Sequence, residues 1–172
     1  MRFRSEKITI LGDIESMFYQ VNVPLKDRNY LRFLWWPNGD FESKPEVYRM
    51  TVNLFGSTSS PCICNFALRR TVEEYGAKYE REVSETIERN MYVDDCLVST
   101  ESDAKAIKLV DNVRNLCKKG GFNLTKWMSS SQVVVDSIPE KDRAKEMKQW
   151  DIDTESSVER ALGVYWYIDT DT

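Results

Sequence analysis

The stretch NMYVDDCLVS, residues 90–99, sets two carboxylates, Asp94 and Asp95, side by side between short apolar runs. Like charges this close repel each other, and burying them costs free energy. Asp is also a poor strand former. Met91, Val93, Leu97 and Val98 flank the pair, so the pattern predicts strand, tight turn, strand, with the turn emerging from a buried hairpin. Two readings stay open. Asp is common in hairpin turns because it tolerates unusual backbone angles, and a solvated turn needs no function. The other reading brings in a third carboxylate, Asp13, at the end of EKITILGDI. That segment, 6–14, reads as a strand in which Ile8 and Ile10 alternate with Lys7 and Thr9, leaving one face buried. If the two strands are neighbours, three carboxylates meet at one edge of a sheet. They would raise one another's pKa unless cations relieve them, and Mg²⁺ prefers a few carboxylates together with phosphate oxygens. A pair of such ions ~4 Å apart stabilises the attacking and leaving oxygens of phosphoryl transfer.

Other chemistries are poorly supplied. The chain has no histidine, which removes Ser-His and Cys-His nucleophile schemes. Cys62, Cys64, Cys96 and Cys117 show no metal-site spacing and read as reduced thiols. No apolar run approaches the roughly 18 residues that span a bilayer. The basic tip MRFRSEKITI lacks the apolar stretch of a signal peptide. Together these point to a cytoplasmic or nuclear protein that is not secreted and makes no membrane contact. The net charge of −4 argues against a stand-alone nucleic-acid binder, though not against an enzyme whose basic parts lie elsewhere in a longer polypeptide. With 41% hydrophobic and 30% charged residues, a packed core is feasible and global disorder is not expected.

The elements that must position the carboxylates are legible in outline. After Asp13 comes a short irregular or helical piece, ESMFYQVNVP, stopped at Pro24. NYLRFLWW and EVYRMTVNLF read as a hairpin with Asn38-Gly39 as its turn. Ser60 as N-cap and Pro61 at the first position open a helix that runs to about Tyr79, with Ile63, Phe66, Ala67 and Arg70 on one face. EREVSETIER is a second helical piece. A third, over 103–119, carries Ala106, Leu109, Val110, Val113, Leu116 and Cys117 on one stripe and is ended by Gly120-Gly121. FNLTKWMSS is a strand, EKDRAKEMKQW a helix candidate, and RALGVYWYID a last strand. The mix predicts an α+β domain, an antiparallel sheet with helices packed on one face.

DIESMF, FGSTSSP, YVDD, GGFNLTKW and ALGVYW occur in that order with workable gaps. In these motifs the sequence resembles the palm of a reverse transcriptase, and most closely the BEL/Pao group of long-terminal-repeat retrotransposons. The likeness runs over nearly the whole chain. It implies a ferredoxin-like palm core with partial fingers over 1–128, and the end of the palm and start of the thumb connection over 129–172. It implies an RNA-directed DNA polymerase, part of a retrotransposon polyprotein, in which a primer 3′-hydroxyl attacks the α-phosphate of a deoxynucleoside triphosphate on an RNA or DNA template. By resemblance Asp13, Asp94 and Asp95 bind two Mg²⁺ ions, with Mn²⁺ as a substitute. Phe18 is the aromatic that blocks a ribose 2′-hydroxyl. Gly56 lets backbone approach nucleotide and template. Lys126 is placed to neutralise the leaving pyrophosphate, and Leu162-Gly163 resembles the primer-grip hairpin. Where many relatives have Gln-Gly, this chain has Phe55-Gly56.

Met1 lies close before Asp13, so most of the fingers is expected to be missing upstream, as are most of the thumb and the RNase H segment downstream. Those segments are the partners the resemblance implies, within a virus-like particle or in the nucleus. The alternative is a truncated non-catalytic remnant serving at most as an interaction module. A different two-metal palm enzyme, such as a nucleotide cyclase, fits the loop at Gly56 and GGFNLTKW less well.

Overall fold

Seven residues, Ile8–Ile14, form strand β1, and all but Asp13 are buried. A computed structural model describes residues 5–144 and the backbone of two later strands, Val158–Ala161 (β7) and Val164–Tyr167 (β8). The chain divides into two compact units, Ser16–Ala67 and the remainder.

In the larger unit, β1 is an inner strand of a four-stranded sheet. Its companions are β4 (Met91–Tyr92), β5 (Asp95–Thr100) and β6 (Leu124–Ser129), in the order β4-β5-β1-β6 with all pairs antiparallel. Directly opposed residues of antiparallel strands share a face. Ile8, Ile10 and Gly12 therefore lie with Thr100, Val98 and Cys96 on one face. Thr9, Leu11 and Asp13 lie with Ser99, Leu97 and Asp95 on the other. Helix α3 (Asp103–Lys119) packs on the sheet and against α2 (Arg81–Arg89). Its buried stripe is Ala106, Leu109, Val110, Val113, Leu116 and Cys117, as the sequence pattern predicts. The Cys117 thiol lies near that of Cys96, which places α3 over the Ile10 face. Both thiols are buried and held protonated, that of Cys96 pushed up to about 12 by burial. The ion pairs Lys108–Glu80 and Lys105–Glu82 add links between α3 and the start of α2.

Several expectations are corrected. β1 is not half-buried. Thr9 and Leu11 are as covered as Ile8 and Ile10, β1 being flanked on either side by β5 and β6. The first long helix, α1 (Ser60–Tyr75), stops at Tyr75 and continues as a 3-10 turn over Gly76–Lys78. Ile63, Phe66 and Arg70 do share a face, but it is the exposed one; Cys64, Leu68, Thr71 and Val72 make the buried stripe. A short helix, α4 (Gln132–Ser137), follows β6 where no element is expected. Of the candidate helix over 140–150, Glu140–Asp142 forms one 3-10 turn, Arg143 bridges to Trp127, and residues 145–150 lie outside the described residues. The last strand is two, β7 and β8, paired antiparallel with Ala161 opposite Val164. Leu162 and Gly163 lie outside the described residues.

The smaller unit carries the hairpin of β2 (Arg32–Trp35) and β3 (Glu46–Arg49). Its connection spans 36–45 rather than a two-residue turn. Pro37 presets the first central position of a turn that closes from the Gly39 amide to the Trp36 carbonyl, 3.0 Å, with Asn38 left-handed at φ 54°. The next turn closes from the Asp40 amide to the Pro37 carbonyl, 3.0 Å, with Asn38 and Gly39 both at positive φ, so the expected Asn-Gly turn forms but does not join the two strands directly. Both faces of the hairpin are exposed, and Phe33 stacks on Tyr48 at 6.0 Å. Among the described residues no helix is long and apolar enough to cross a membrane.

Candidate active site

Asp13 sits at the penultimate position of β1, directly opposite Asp95, the first residue of β5. Both side chains are on the face away from α3. Tyr92 pairs with Asp95, so Val93 and Asp94 alone make the turn between β4 and β5. The Ile14 amide donates to the Asp94 carbonyl at 2.8 Å, which ties this turn to the end of β1. Val93 is left-handed, φ 56°, and Asp94 is not, the pattern of a type II′ turn. Such turns normally put glycine first. A β-branched residue at positive φ is a genuine outlier, costing on the order of 1–2 kcal/mol. The strain falls on the residue that aims the two carboxylates.

Asp95 is half-buried, and burial lifts its carboxyl to about 6; the Asp94 and Asp13 carboxylates push the same way, while Lys126 pulls back. Three carboxylates therefore feel one another across the sheet edge.

Lys126 reaches this edge through an irregularity in β6. Leu11 pairs with Met128 but Asp13 with Thr125, so β6 carries one more residue than β1 between the same two pairings. That is a β-bulge, a device that re-aims a side chain. Lys126 takes the left-handed conformation within it, φ 50°. Its ammonium donates to Asp13 Oδ1 at 2.9 Å, and this bond raises the lysine pKa. Trp127, 1% exposed, is turned onto Gly12, where a Cβ would come within 2.7 Å of the indole Cε3. Gly12 lets the indole close on β1, and the bulge that does this also delivers Lys126. Ala144 donates to the Trp127 carbonyl at 3.1 Å, and the Arg114–Asp142 ion pair ties this last segment to α3. On the face away from α3 lies an open cavity of about 740 Å³, lined by Leu11, Asp13, Asp95, Thr125, Lys126 and Met128 and by the segment 141–144.

The donor set suits a hard cation: three carboxylates, no thiolate at the edge, no imidazole in the chain. Such a cation would relieve the part of the Asp95 shift that comes from the Asp94 and Asp13 carboxylates, which adds to the larger effect of burial. The side chains as they stand do not close around one, however. Among the described residues no three carboxylates or thiols gather closely enough to hold a metal ion. The expected three-carboxylate meeting is a facing pair, Asp13 and Asp95, with Asp94 in the adjoining turn and Lys126 on Asp13 as counter-ion. Mutual repulsion and the available ammonium give that arrangement its physical reason.

Phe18 and Gly56 lie in the smaller unit. Phe18 is in the 3-10 turn Met17–Gln20, buried, and meets the edge of Phe55 at 5.4 Å and 76°. Phe55 itself is 76% exposed. Gly56 has φ 86°, a conformation that favours glycine. A buried network anchors the loop after Gly56. The Ser60 hydroxyl donates to Asn53 Oδ1 at 3.0 Å, and Asn53 Nδ2 reaches the Ser60 carbonyl and Cys64 Sγ, both at 3.4 Å. Ser60 thus spends its hydroxyl on Asn53 rather than on capping α1, a correction to the expected N-cap. Leu162 and Gly163 are not described, so the primer-grip expectation rests on sequence alone.

Sequence reasoning missed Gly12, Val93, Asn53 and the bulge. Gly12 carried a signal, a glycine inside a strand immediately before a functional Asp, which marks close backbone approach. Lys126 at positive φ carried none.

A sequence model of the family described as reverse transcriptase (RNA-dependent DNA polymerase) matches residues 2–133. No curated protein matches the chain.

Proposed function

The chain belongs to the reverse transcriptase family, and from that premise we propose that it is the palm, with partial fingers, of a BEL/Pao-type retrotransposon polymerase. In this reading residues 1–128 form the palm, with a ferredoxin-like core, and 129–172 lead toward the thumb. The observation that carries it is the register pairing of Asp13 with Asp95 at the sheet edge, beside the turn that holds Asp94. Asp13, Asp94 and Asp95 would hold Mg²⁺, or Mn²⁺ in its place, which when bound supplies charge stabilisation for phosphoryl transfer to a primer 3′-hydroxyl. The chain's own residues do the rest. The β4–β5 turn orients Asp94 and Asp95 at the end of β1. Lys126 brings positive charge to the same edge, suited to the leaving pyrophosphate. Phe18, backed by Phe55, is a wall against a ribose 2′-hydroxyl, and Gly56 allows backbone approach to the nucleotide. Leu162-Gly163 would hold the primer. The substrates are deoxynucleoside triphosphates on a primed RNA or DNA template. The partners are fingers, thumb and RNase H segments of the same polyprotein, in a cytoplasmic virus-like particle or in the nucleus.

Primer extension on an RNA template of defined sequence tests this, with the chain assayed alone and in its full reading frame. Template-directed addition of deoxynucleotides supports it. Addition that ignores the template contradicts it. A second reading, an inactive remnant reused as an interaction module, draws on the exposed apolar side chains of the smaller unit, among them Tyr30, Leu34, Phe41, Val47 and Phe55. Frame-wide inactivity together with self-association in sedimentation would favour it.

A further inference from the structure

Lys126 does more at this edge than supply a positive field. We infer that Lys126 is a latch on Asp13: its ammonium holds the carboxylate oxygen that a divalent cation needs, so cation binding and the Lys126–Asp13 contact are mutually exclusive. This inference rests on the assignment of Asp13, Asp94 and Asp95 as cation ligands.

Three observations carry it. First, the contact is direct, Nζ to Asp13 Oδ1 at 2.9 Å. Second, the contact is built by the fold. The extra residue of β6 and the left-handed backbone at Lys126 turn this side chain toward β1, and the buried Trp127 on Gly12 anchors the bulge beneath it. Third, the latch can open. The Lys126 side chain is 63% exposed while that of Asp13 is 24% exposed, so the ammonium can swing into water while the carboxylate stays on β1. A cation on Asp13 and an ammonium on the same oxygen would be like charges in contact, and the mobile partner is the one that leaves. The device keeps three mutually repelling carboxylates tolerable in the folded chain until a cation replaces the lysine.

The test is Mn²⁺ binding to the full chain, followed by the loss of free Mn²⁺ signal in electron paramagnetic resonance, a readout independent of polymerase activity. Lys126→Met removes the latch and should tighten binding about three- to ten-fold. Lys126→Arg keeps a donor at the same place and should stay within about two-fold of the parent. Lys141→Met removes a second lysine that lines the same cavity and should change binding less than two-fold. A parallel titration of the ¹³C-methylated lysines with Mg²⁺ should shift the Lys126 resonance with the cation's own saturation curve. The latch is overturned if Lys126→Met binds Mn²⁺ no more tightly than the parent. It is also overturned if Lys141→Met tightens binding equally, which would mean a general field effect, or if the Lys126 resonance is unmoved at saturation. In those cases the carboxylates still bind the cation and the assignment of the ligands stands. If neither the parent nor Lys126→Met binds Mn²⁺, the ligand assignment fails and the latch falls with it.

Discussion

Asp95→Asn should make this protein more stable at neutral pH. The Asp95 carboxyl is lifted from an ordinary 3.8 to about 6, first by burial and then by Asp94 and Asp13. One pKa unit corresponds to about 1.4 kcal/mol, so the full shift sets an upper bound of about 3 kcal/mol. The group is only half-buried and water screens it, which reduces the expected effect to about 1–2 kcal/mol. The sign follows from proton counting. The folded-state pKa lies above the unfolded one, so between pH 4 and about 6 the folded state holds more protons. Stability contributed by this group is present below the unfolded pKa and is lost as pH rises through the folded one. At pH 7 the whole penalty is in force. Asn has no proton to lose and nearly the same shape, so it should remove both the penalty and its pH dependence. Urea unfolding of parent and variant at pH 4, 5, 6 and 7, with chelator present, gives the difference between them and cancels the other carboxylates. The difference should be near zero at pH 4 and grow to about 1–2 kcal/mol in favour of Asn by pH 7. A variant equal to or less stable than the parent at pH 7 would refute the reasoning, since Asp95 would then carry no electrostatic cost. A costly carboxylate that the fold could replace with profit is what a working site looks like.

Other expectations concern the supports of that edge. Gly12→Ala drives a Cβ to 2.7 Å from a rigid, buried indole and should cost about 1–3 kcal/mol in thermal or urea unfolding, with a changed Trp127 fluorescence spectrum. Full stability with an unchanged spectrum would mean that Trp127 does not rest on Gly12. Val93→Gly releases a left-handed β-branched residue worth about 1–2 kcal/mol of strain but adds about 0.5–1 kcal/mol of unfolded-chain entropy, so a net gain of about 0.5–1 kcal/mol is expected in equilibrium unfolding. A loss of stability there would place Val93 in a relaxed turn.

Much of this arrangement is written locally in the chain. Helix α3 begins and ends where its apolar stripe and Gly120-Gly121 say, because both signals lie within the helix's own span. A tight turn follows from two carboxylates between apolar runs, although the structure sets it one residue early, at Val93-Asp94, with Asp95 opening β5; Asp13 at a strand end follows from EKITILGD. What stays hidden is what depends on distant neighbours. β1 looks half-buried because Lys7 and Thr9 alternate with Ile8 and Ile10, yet its inner place in the sheet buries Thr9 completely. The bulge at Lys126 is set by the fit of Trp127 onto Gly12, two residues more than a hundred positions apart, and no glycine marks it. Asn38-Gly39 makes its turn, with Asp40 bonded back to Pro37, but β3 starts only at Glu46, which the Asn-Gly signal does not show. Ile63 and Phe66 look like a core stripe, but Cys64, with Asn53 bonded to it, takes the buried side of the helix.

The proposed chemistry depends most directly on the carboxylates as the centre of nucleotidyl transfer. Single-nucleotide addition to a primed RNA template, measured for the full reading frame with and without Asp94→Asn, addresses that claim alone. Asp94→Asn should lower the rate by roughly two orders of magnitude or more, the loss expected when a group that organises transition-state charge is removed. An Asp94→Asn polymerase that extends primers at the parent rate would contradict it.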